Sequence, residues 1–99
     1  MHLISARNLK IAASHYPDLA ENIQIICKNI QDSSWKHLSD LQQVYPSAEA
    51  VSNFTVINVK GNKYRLILSI DYEKQVVYFK YLLTHAEYNK NDWKNDYYY

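Results

Sequence analysis

Glycine is nearly absent from this 99-residue chain and occurs once, at Gly61. Average usage of ~7 % would give roughly seven glycines. Loops that bind nucleotides need several of them, because the backbone must come close to the phosphates, so the sequence excludes P-loops and dinucleotide fingerprints. Cysteine also occurs once, at Cys27, which excludes an internal disulfide and a cysteine-based zinc cluster.

Long apolar segments are absent as well. The longest uninterrupted apolar run covers residues 76–79, far short of the ~20 residues that a membrane span needs. The N-terminus has no signal-peptide pattern, and a single cysteine suits a reducing compartment. We therefore expect a cytoplasmic protein that has no membrane partner.

What remains is an ordinary globular composition, with 47 % hydrophobic and 21 % charged residues. A chain of this length supports only one small hydrophobic core. No linker, repeat or low-complexity segment divides it, apart from three tyrosines at the C-terminus. We therefore predict a single domain over residues 1–99.

Charge is distributed unevenly, although the net charge is only +1. The segment 1–53 carries four Lys/Arg and five Asp/Glu, whereas 54–99 carries seven and five. In the second segment Lys60, Lys63 and Arg65 lie close together in the sequence. A local basic site on a near-neutral protein suits phosphate recognition.

Helical periodicity dominates the first half. One predicted helix follows Ser5, a candidate N-cap, and ends before Pro17; its apolar residues are Ala6, Leu9, Ala13 and Tyr16. A second helix is predicted from Pro17 by the stripe Leu19, Ile23, Ile26 and Ile30. A short third helix is predicted between Ser39 and Pro46, because Ser39 and Gln42 have capping-box spacing.

Strand patterns dominate the second half. Residues 54–60 and 63–70 are rich in β-branched and long apolar side chains, and Gly61-Asn62 between them predicts a two-residue hairpin turn. A third strand is predicted over 76–83, and residues 1–4 are a candidate edge strand. The pattern indicates an α+β domain, with N-terminal helices packed on one face of a three- to four-stranded antiparallel sheet.

The hairpin register predicts which side chains share a face, since a two-residue turn pairs 58 with 65 and 56 with 67. The face expected against the helices carries Ile57, Val59, Tyr64, Leu66, Leu68 and Ile70. The other face is expected to be open and carries Asn58, Lys60, Lys63 and Arg65 at the turn end, with Phe54, Val56 and Ile67 further along. In the third strand the same alternation assigns Val77, Phe79, Tyr81 and Leu83 to the core and Tyr78, Lys80 and Leu82 to the cationic face.

His85 and Tyr88 follow the third strand at a spacing that places both on one side of a helical turn. RNA cleavage without a metal requires removal of the 2′-hydroxyl proton, stabilisation of the phosphate, and protonation of the leaving 5′-oxygen. Histidine transfers protons near neutral pH, and the fork of Arg65 matches phosphate oxygens. Tyr88 could donate a hydrogen bond, stack on a base, or do both, and its spacing leaves this open.

These residues lie in two motifs, Gly-Asn-Lys-Tyr-Arg-Leu at 61–66 and Thr-His-Ala-Glu-Tyr at 84–88. The motifs resemble HigB, the RelE/ParE-like toxin of bacterial type II toxin–antitoxin modules. The resemblance extends upstream through Trp35 and the segment 45–48 and covers nearly the whole chain. It implies a sheet flanked by helices, cleavage of messenger RNA, often on the ribosome, and neutralisation by a HigA-like helix-turn-helix antitoxin.

The resemblance also implies functional positions. These fall on Asn62, Lys63, Arg65, Lys80, His85 and Tyr88, and the predicted cationic face adds Asn58 and Lys60. We therefore predict catalytic roles for Arg65, His85 and Tyr88, and RNA or phosphate binding by Asn58, Lys60, Asn62, Lys63 and Lys80. No metal or cofactor is expected. The chain departs from the family at Lys60, where glycine is frequent, at Lys80, where arginine is usual, and at Asn89, where aspartate is usual. Lysine at 80 keeps the charge but lacks the bidentate fork, which weakens a phosphate role there.

Two other functions stay open at this stage. A ParE-like toxin uses the same scaffold to inhibit DNA gyrase without cleaving nucleic acid, and a degenerate toxin could bind RNA without activity. Fold alone does not choose among them. The pairing of His85 and Tyr88 with Arg65 favours the nuclease, because a pure protein inhibitor does not need it.

Overall fold

The computed structural model describes residues 1–99, and its helices precede most of its strands. The first half contains β1 (His2–Ile4), α1 (Ala6–Ala13), a 3₁₀ turn (Pro17–Leu19), α2 (Ala20–Gln31) and α3 (Leu38–Val44). The second half contains β2 (Glu49–Val51), β3 (Phe54–Val59), β4 (Tyr64–Asp71), β5 (Val76–Thr84), α4 (His85–Asn89) and a 3₁₀ turn (Asp92–Asn95). None of the helices has the length and apolar content needed to span a bilayer.

The three predicted helices are present, but two of their predicted caps are wrong. Ser5 precedes α1 with a φ of 70° and makes no capping hydrogen bond through its side chain. At α3 the cap involves Asp40, whose carboxylate accepts hydrogen bonds from the backbone N–H groups of Lys36 and His37. A carboxylate makes a stronger hydrogen bond to a backbone N–H than a serine hydroxyl does. The helix α3 therefore begins at Leu38, and Ser39 lies inside it.

The sheet has five strands in the order β1-β5-β4-β3-β2. Strands β3, β4 and β5 form the predicted antiparallel meander, whereas β1 pairs with β5 in parallel. The prediction of three or four antiparallel strands is therefore corrected to a five-stranded mixed sheet within the α+β class. The parallel pair arises because the helices carry the chain back across the sheet between β1 and the meander. The short strand β2 pairs with β3 at the other edge.

The predicted hairpin register is confirmed. Asn58 lies opposite Arg65 and Val56 opposite Ile67, and Gly61 adopts a φ of +67° in the turn. The face predicted to pack on the helices does so: Ile57, Val59, Tyr64, Leu66 and Leu68 are buried in the main core, and Ile70 packs against it. Residues of α1, α2 and α3 complete that core, among them Leu9, Ile23, Ile30 and Leu41.

A β-bulge at Lys80 reverses the faces of the last part of β5. Phe79 lies opposite Leu68, but Tyr81 lies opposite Ile67, so one residue of β5 has no partner on β4. Leu82 is consequently buried in the main core, while Tyr81 and Leu83 pack on the other face. The predicted orientations of these last three residues are wrong, because an extra residue shifts the two-residue period of a strand.

The face predicted to be open is covered by the C-terminal segment. Phe54, Val56 and Ile67 form a second buried cluster with Trp93, and Tyr88 and Tyr99 pack against it. A terminal oxygen of Tyr99 accepts hydrogen bonds from the N–H of Asn53 at 2.9 Å and from the Ser52 hydroxyl. Burying this apolar face stabilises the fold, and the cover places α4 beside Arg65.

Candidate active site

A capping box begins α4 directly after β5. The Thr84 hydroxyl accepts the N–H of Glu87 at 3.2 Å, and the Glu87 carboxylate accepts the N–H of Thr84 at 2.9 Å. This hydrogen bond from Thr84 holds the pKa of Glu87 below its usual value, so the carboxylate stays charged at neutral pH. The N–H of His85 donates to the carbonyl of Lys63 at 3.0 Å. Local sequence thus directs the chain from the strand into a helix beside the β3–β4 turn.

The backbone carbonyl of Asn62 connects two of the predicted catalytic residues, Arg65 on β4 and His85 at the start of α4. It accepts Nη1 of Arg65 at 2.9 Å and lies 3.0 Å from Nδ1 of His85. Because a carbonyl only accepts hydrogen bonds, Nδ1 carries the hydrogen in this contact. The 3.5 Å approach of Arg65 Nη2 to the same Nδ1 is therefore no hydrogen bond. In this tautomer Nε2 carries the lone pair, and the side chain is exposed.

The guanidinium of Arg65 is buried without a counter-ion. Arg65 is 8 % exposed, and none of the three salt bridges in the structure involves it. Its Nη1 also donates to the carbonyl of Tyr64 at 3.2 Å, and its Cζ lies 5.4 Å from the centre of the Tyr88 ring. A buried cation costs free energy when no anion compensates it. Such a group marks a candidate binding site for an anionic ligand.

The ring of Tyr88 is fixed between this guanidinium and an indole. Trp93 stacks on Tyr88 at 5.1 Å with 16° between the planes, and its Nε1–H donates to the Tyr88 carbonyl at 3.0 Å. Burial raises the pKa of Tyr88, and the charge of Glu49 acts in the same direction. The phenol is therefore protonated at neutral pH and can donate a hydrogen bond. The sequence analysis did not predict this contact of Trp93 with Tyr88.

The predicted cluster of cations on one face does not form. Lys63 and Lys60 contact the carboxylate of Asp18, with Nζ–Oδ2 distances of 2.9 and 3.3 Å. Asp18 also accepts the Tyr64 hydroxyl at 3.2 Å. Since Tyr64 belongs to the main core, both lysines turn toward the helical side and away from Arg65. Sequence analysis overlooked Asp18, which lies far from the turn in the sequence.

The remaining predicted RNA-binding residues are divided between two places. The amide of Asn58 donates to the side-chain oxygen of Asn62 at 3.3 Å, so both lie beside Arg65, Asn58 in β3 and Asn62 in the turn. Lys80 lies at the bulge, where its Nζ is 4.4 Å from the centre of the Tyr98 ring and 5.7 Å from that of Phe54. Nowhere do three His, Cys, Asp or Glu side chains form a group that could hold a metal ion.

The Asp18 contacts predict a specific pH dependence of stability. Hydrogen bonding, first from Lys63, lowers the pKa of Asp18 to about 2, below the ~3.9 of an unfolded aspartate. A carboxylate with a lowered pKa stabilises the fold above its unfolded value, and this contribution is lost as the pH falls through the folded value. We expect Asp18→Asn to lower the urea midpoint at neutral pH. The deficit relative to wild type should shrink between about pH 4 and pH 2, and a deficit that is constant with pH would contradict the contacts.

Comparison with known proteins shows the family of this chain. The HigB_toxin family, the RelE-like toxic component of a toxin-antitoxin system, matches residues 19–91. The chain belongs to the HigB family. The matched HigB region contains Arg65, His85 and Tyr88, whereas the C-terminal tyrosines lie beyond it.

Individual HigB relatives match over most of their length. The "mRNA interferase toxin HigB" of Escherichia coli (strain K12) is 32 % identical over 92 residues, which cover 90 % of this chain and 88 % of that relative. The "mRNA interferase HigB" of Escherichia coli O157:H7 gives the same values. A second "mRNA interferase HigB", from Escherichia coli O6:H1, is 25 % identical over 93 residues, with 91 % and 90 % covered. The predicted resemblance to the HigB family is confirmed.

Proposed function

We propose that this HigB-family toxin is an mRNA endoribonuclease that acts through Arg65, His85 and Tyr88. The observation that carries the proposal is the buried guanidinium without a carboxylate partner, joined to His85 by the shared carbonyl of Asn62. A phosphate group is the anion that the planar fork of arginine binds best. The names of the relatives, mRNA interferases, support the same activity.

The proposed reaction uses the RNA's own 2′-hydroxyl as the nucleophile. Nε2 of His85 accepts the hydroxyl proton as the 2′-oxygen bonds to phosphorus. Arg65 stabilises the negative charge that develops on the phosphate oxygens, and the Tyr88 hydroxyl gives a proton to the departing 5′-oxygen. The products are a 2′,3′-cyclic phosphate and a free 5′-hydroxyl. Each step uses a group of the RNA or of the protein, so this scheme requires no metal or cofactor.

Partners follow from the family and the substrate. A RelE-like toxic component has an antitoxin, and we infer a HigA-like helix-turn-helix protein in that role. We also infer that the substrate is mRNA under translation on the ribosome, which places the activity in the cytoplasm. Five further side chains are proposed to contact the RNA outside the reacting phosphate: Asn58, Lys60, Asn62, Lys63 and Lys80. To bind a phosphate, Lys60 and Lys63 must first release the carboxylate of Asp18.

Mapping of transcript ends after brief induction of the toxin tests the proposal. We expect new 5′ ends within coding regions for the wild type and for His15→Ala, which changes an exposed histidine outside the site. Intact transcripts accompanied by altered plasmid supercoiling would overturn the nuclease in favour of gyrase inhibition. Intact transcripts with RNA binding but without growth arrest would indicate an inactive homologue.

A further inference from the structure

We propose that Tyr78, Lys80 and Tyr98 form a second RNA subsite, which stacks a nucleobase of single-stranded RNA and binds a neighbouring phosphate. The inference rests on the proposed function, because it concerns the path of the same RNA strand. It extends that function to the C-terminal tail, which lies outside the matched HigB region.

The subsite is a surface pocket with exposed aromatic walls. Ser69, Tyr78, Lys80 and Tyr98 line a cavity of about 430 Å³, within the usual size range for sites that hold small ligands. Tyr78 is 40 % exposed and Tyr98 is 63 % exposed. Aromatic faces that reach solvent provide the stacking surfaces that proteins use for unpaired bases.

The tail that carries Tyr98 is anchored to the sheet through Asp96. One carboxylate oxygen of Asp96 accepts the Tyr81 hydroxyl at 2.6 Å, and the other accepts the N–H of Tyr98 at 2.8 Å. The hydrogen bond from Tyr81 keeps the pKa of Asp96 below its usual value, so the anchor persists at neutral pH. Tyr98 is therefore held beside β5 although its side chain is exposed.

Lys80 supplies the positive charge. Of the three lysines predicted to bind RNA, it is the one without a carboxylate within 4 Å, whereas Lys60 and Lys63 share Asp18. Both oxygens of the nearby Asp96 already accept hydrogen bonds. Its ammonium instead lies over the Tyr98 ring at 4.4 Å. A phosphate can replace this cation–π contact without breaking an ion pair.

The subsite lies on the same face of the sheet as Arg65. On β4, Ser69 shares a face with Arg65 because their separation is even, and Tyr78 lies opposite Ser69. Leu83 lies opposite Arg65. Lys80 comes three residues before Leu83 on β5, a distance of about 10 Å along the strand at ~3.3 Å per residue. An RNA strand whose phosphate binds Arg65 can therefore reach the subsite within a few nucleotides.

The test measures the affinity of the full chain for a fluorescent single-stranded RNA whose riboses are 2′-O-methylated and cannot be cleaved. Tyr98→Ala is expected to weaken binding at least about fivefold, the lower limit for loss of one base stack, with an unchanged salt slope. Lys80→Gln is expected to lower the slope of log affinity against log salt by about 0.7. Tyr98→Phe keeps the ring and should bind like wild type.

Wild-type affinity in Tyr98→Ala together with an unchanged salt slope in Lys80→Gln would overturn the subsite. So would a wild-type protein without affinity for the oligonucleotide, or variants that lose antitoxin binding and keep RNA binding. Binding is recorded without cleavage, so the two proposals fail separately. The nuclease fails if unmodified RNA stays intact, and the subsite fails if these variants bind normally.

Discussion

Replacing His85 with alanine is expected to lower the rate of RNA cleavage by about 10²–10⁴-fold, the usual contribution of a positioned acid–base group. The variant removes Nε2, the proposed base. In the wild type the hydrogen bond from Nδ1 to the Asn62 carbonyl directs the lone pair of Nε2 outward. The measurement is a single-turnover cleavage rate at saturating RNA. His85 is exposed, so the urea midpoint should stay close to that of wild type.

The matched control for this prediction is His15→Ala, which removes another exposed histidine and should cleave at the wild-type rate. A wild-type cleavage rate in His85→Ala would show that the imidazole takes no part in the reaction. An intermediate rate, with cleavage at new sequences, would also contradict a role of His85 as the base.

Replacing Arg65 with methionine is expected to reduce cleavage by about 10²–10³-fold, as for loss of a donor that stabilises transition-state charge. At the same time the fold should retain or gain stability, because an apolar side chain of similar length replaces a buried cation that has no carboxylate partner. The measurements are the single-turnover rate and the urea midpoint. Arg65→Lys should recover little activity, since lysine lacks the planar fork.

Arg7→Met is the control for Arg65→Met, because Arg7 is exposed on α1. We expect it to leave both the rate and the midpoint unchanged. If Arg65→Met unfolded the protein, the guanidinium would be a structural element that the fold requires. If it folded and cleaved normally, Arg65 would have no part in phosphate binding.

The parts of the site that sequence predicts are those fixed by local interactions. The Gly61 turn sets the pairing of Asn58 with Arg65, and the turn residues then place the Asn62 carbonyl beside the guanidinium. The three-residue spacing of His85 and Tyr88 becomes effective because the Thr84 capping box starts a helix there. The turn and the capping box each involve residues close together in the sequence, so both can be predicted from the sequence alone.

The features that sequence reasoning missed depend on distant contacts. Asp18 reaches Lys63 across a separation that no periodicity reveals. The bulge at Lys80 cannot be recognised in the sequence of a largely apolar strand, yet it moves Leu82 into the core. Phe54, Val56 and Ile67 on the face predicted to be open indicated that another part of the chain packs on it. The aromatic residues Trp93 and Tyr99 that cover this face were recognisable, but their place on the sheet was not.

The proposed cleavage of RNA depends on activation of the substrate's own 2′-hydroxyl. Its most direct test uses an mRNA that carries a single 2′-deoxy substitution at the mapped cleavage position, presented in a reconstituted translation reaction. The unmodified message should be cut there, leaving a 2′,3′-cyclic phosphate, and the substituted message should stay intact at that position. Cleavage of the substituted message at the normal rate would rule out the 2′-hydroxyl as the nucleophile.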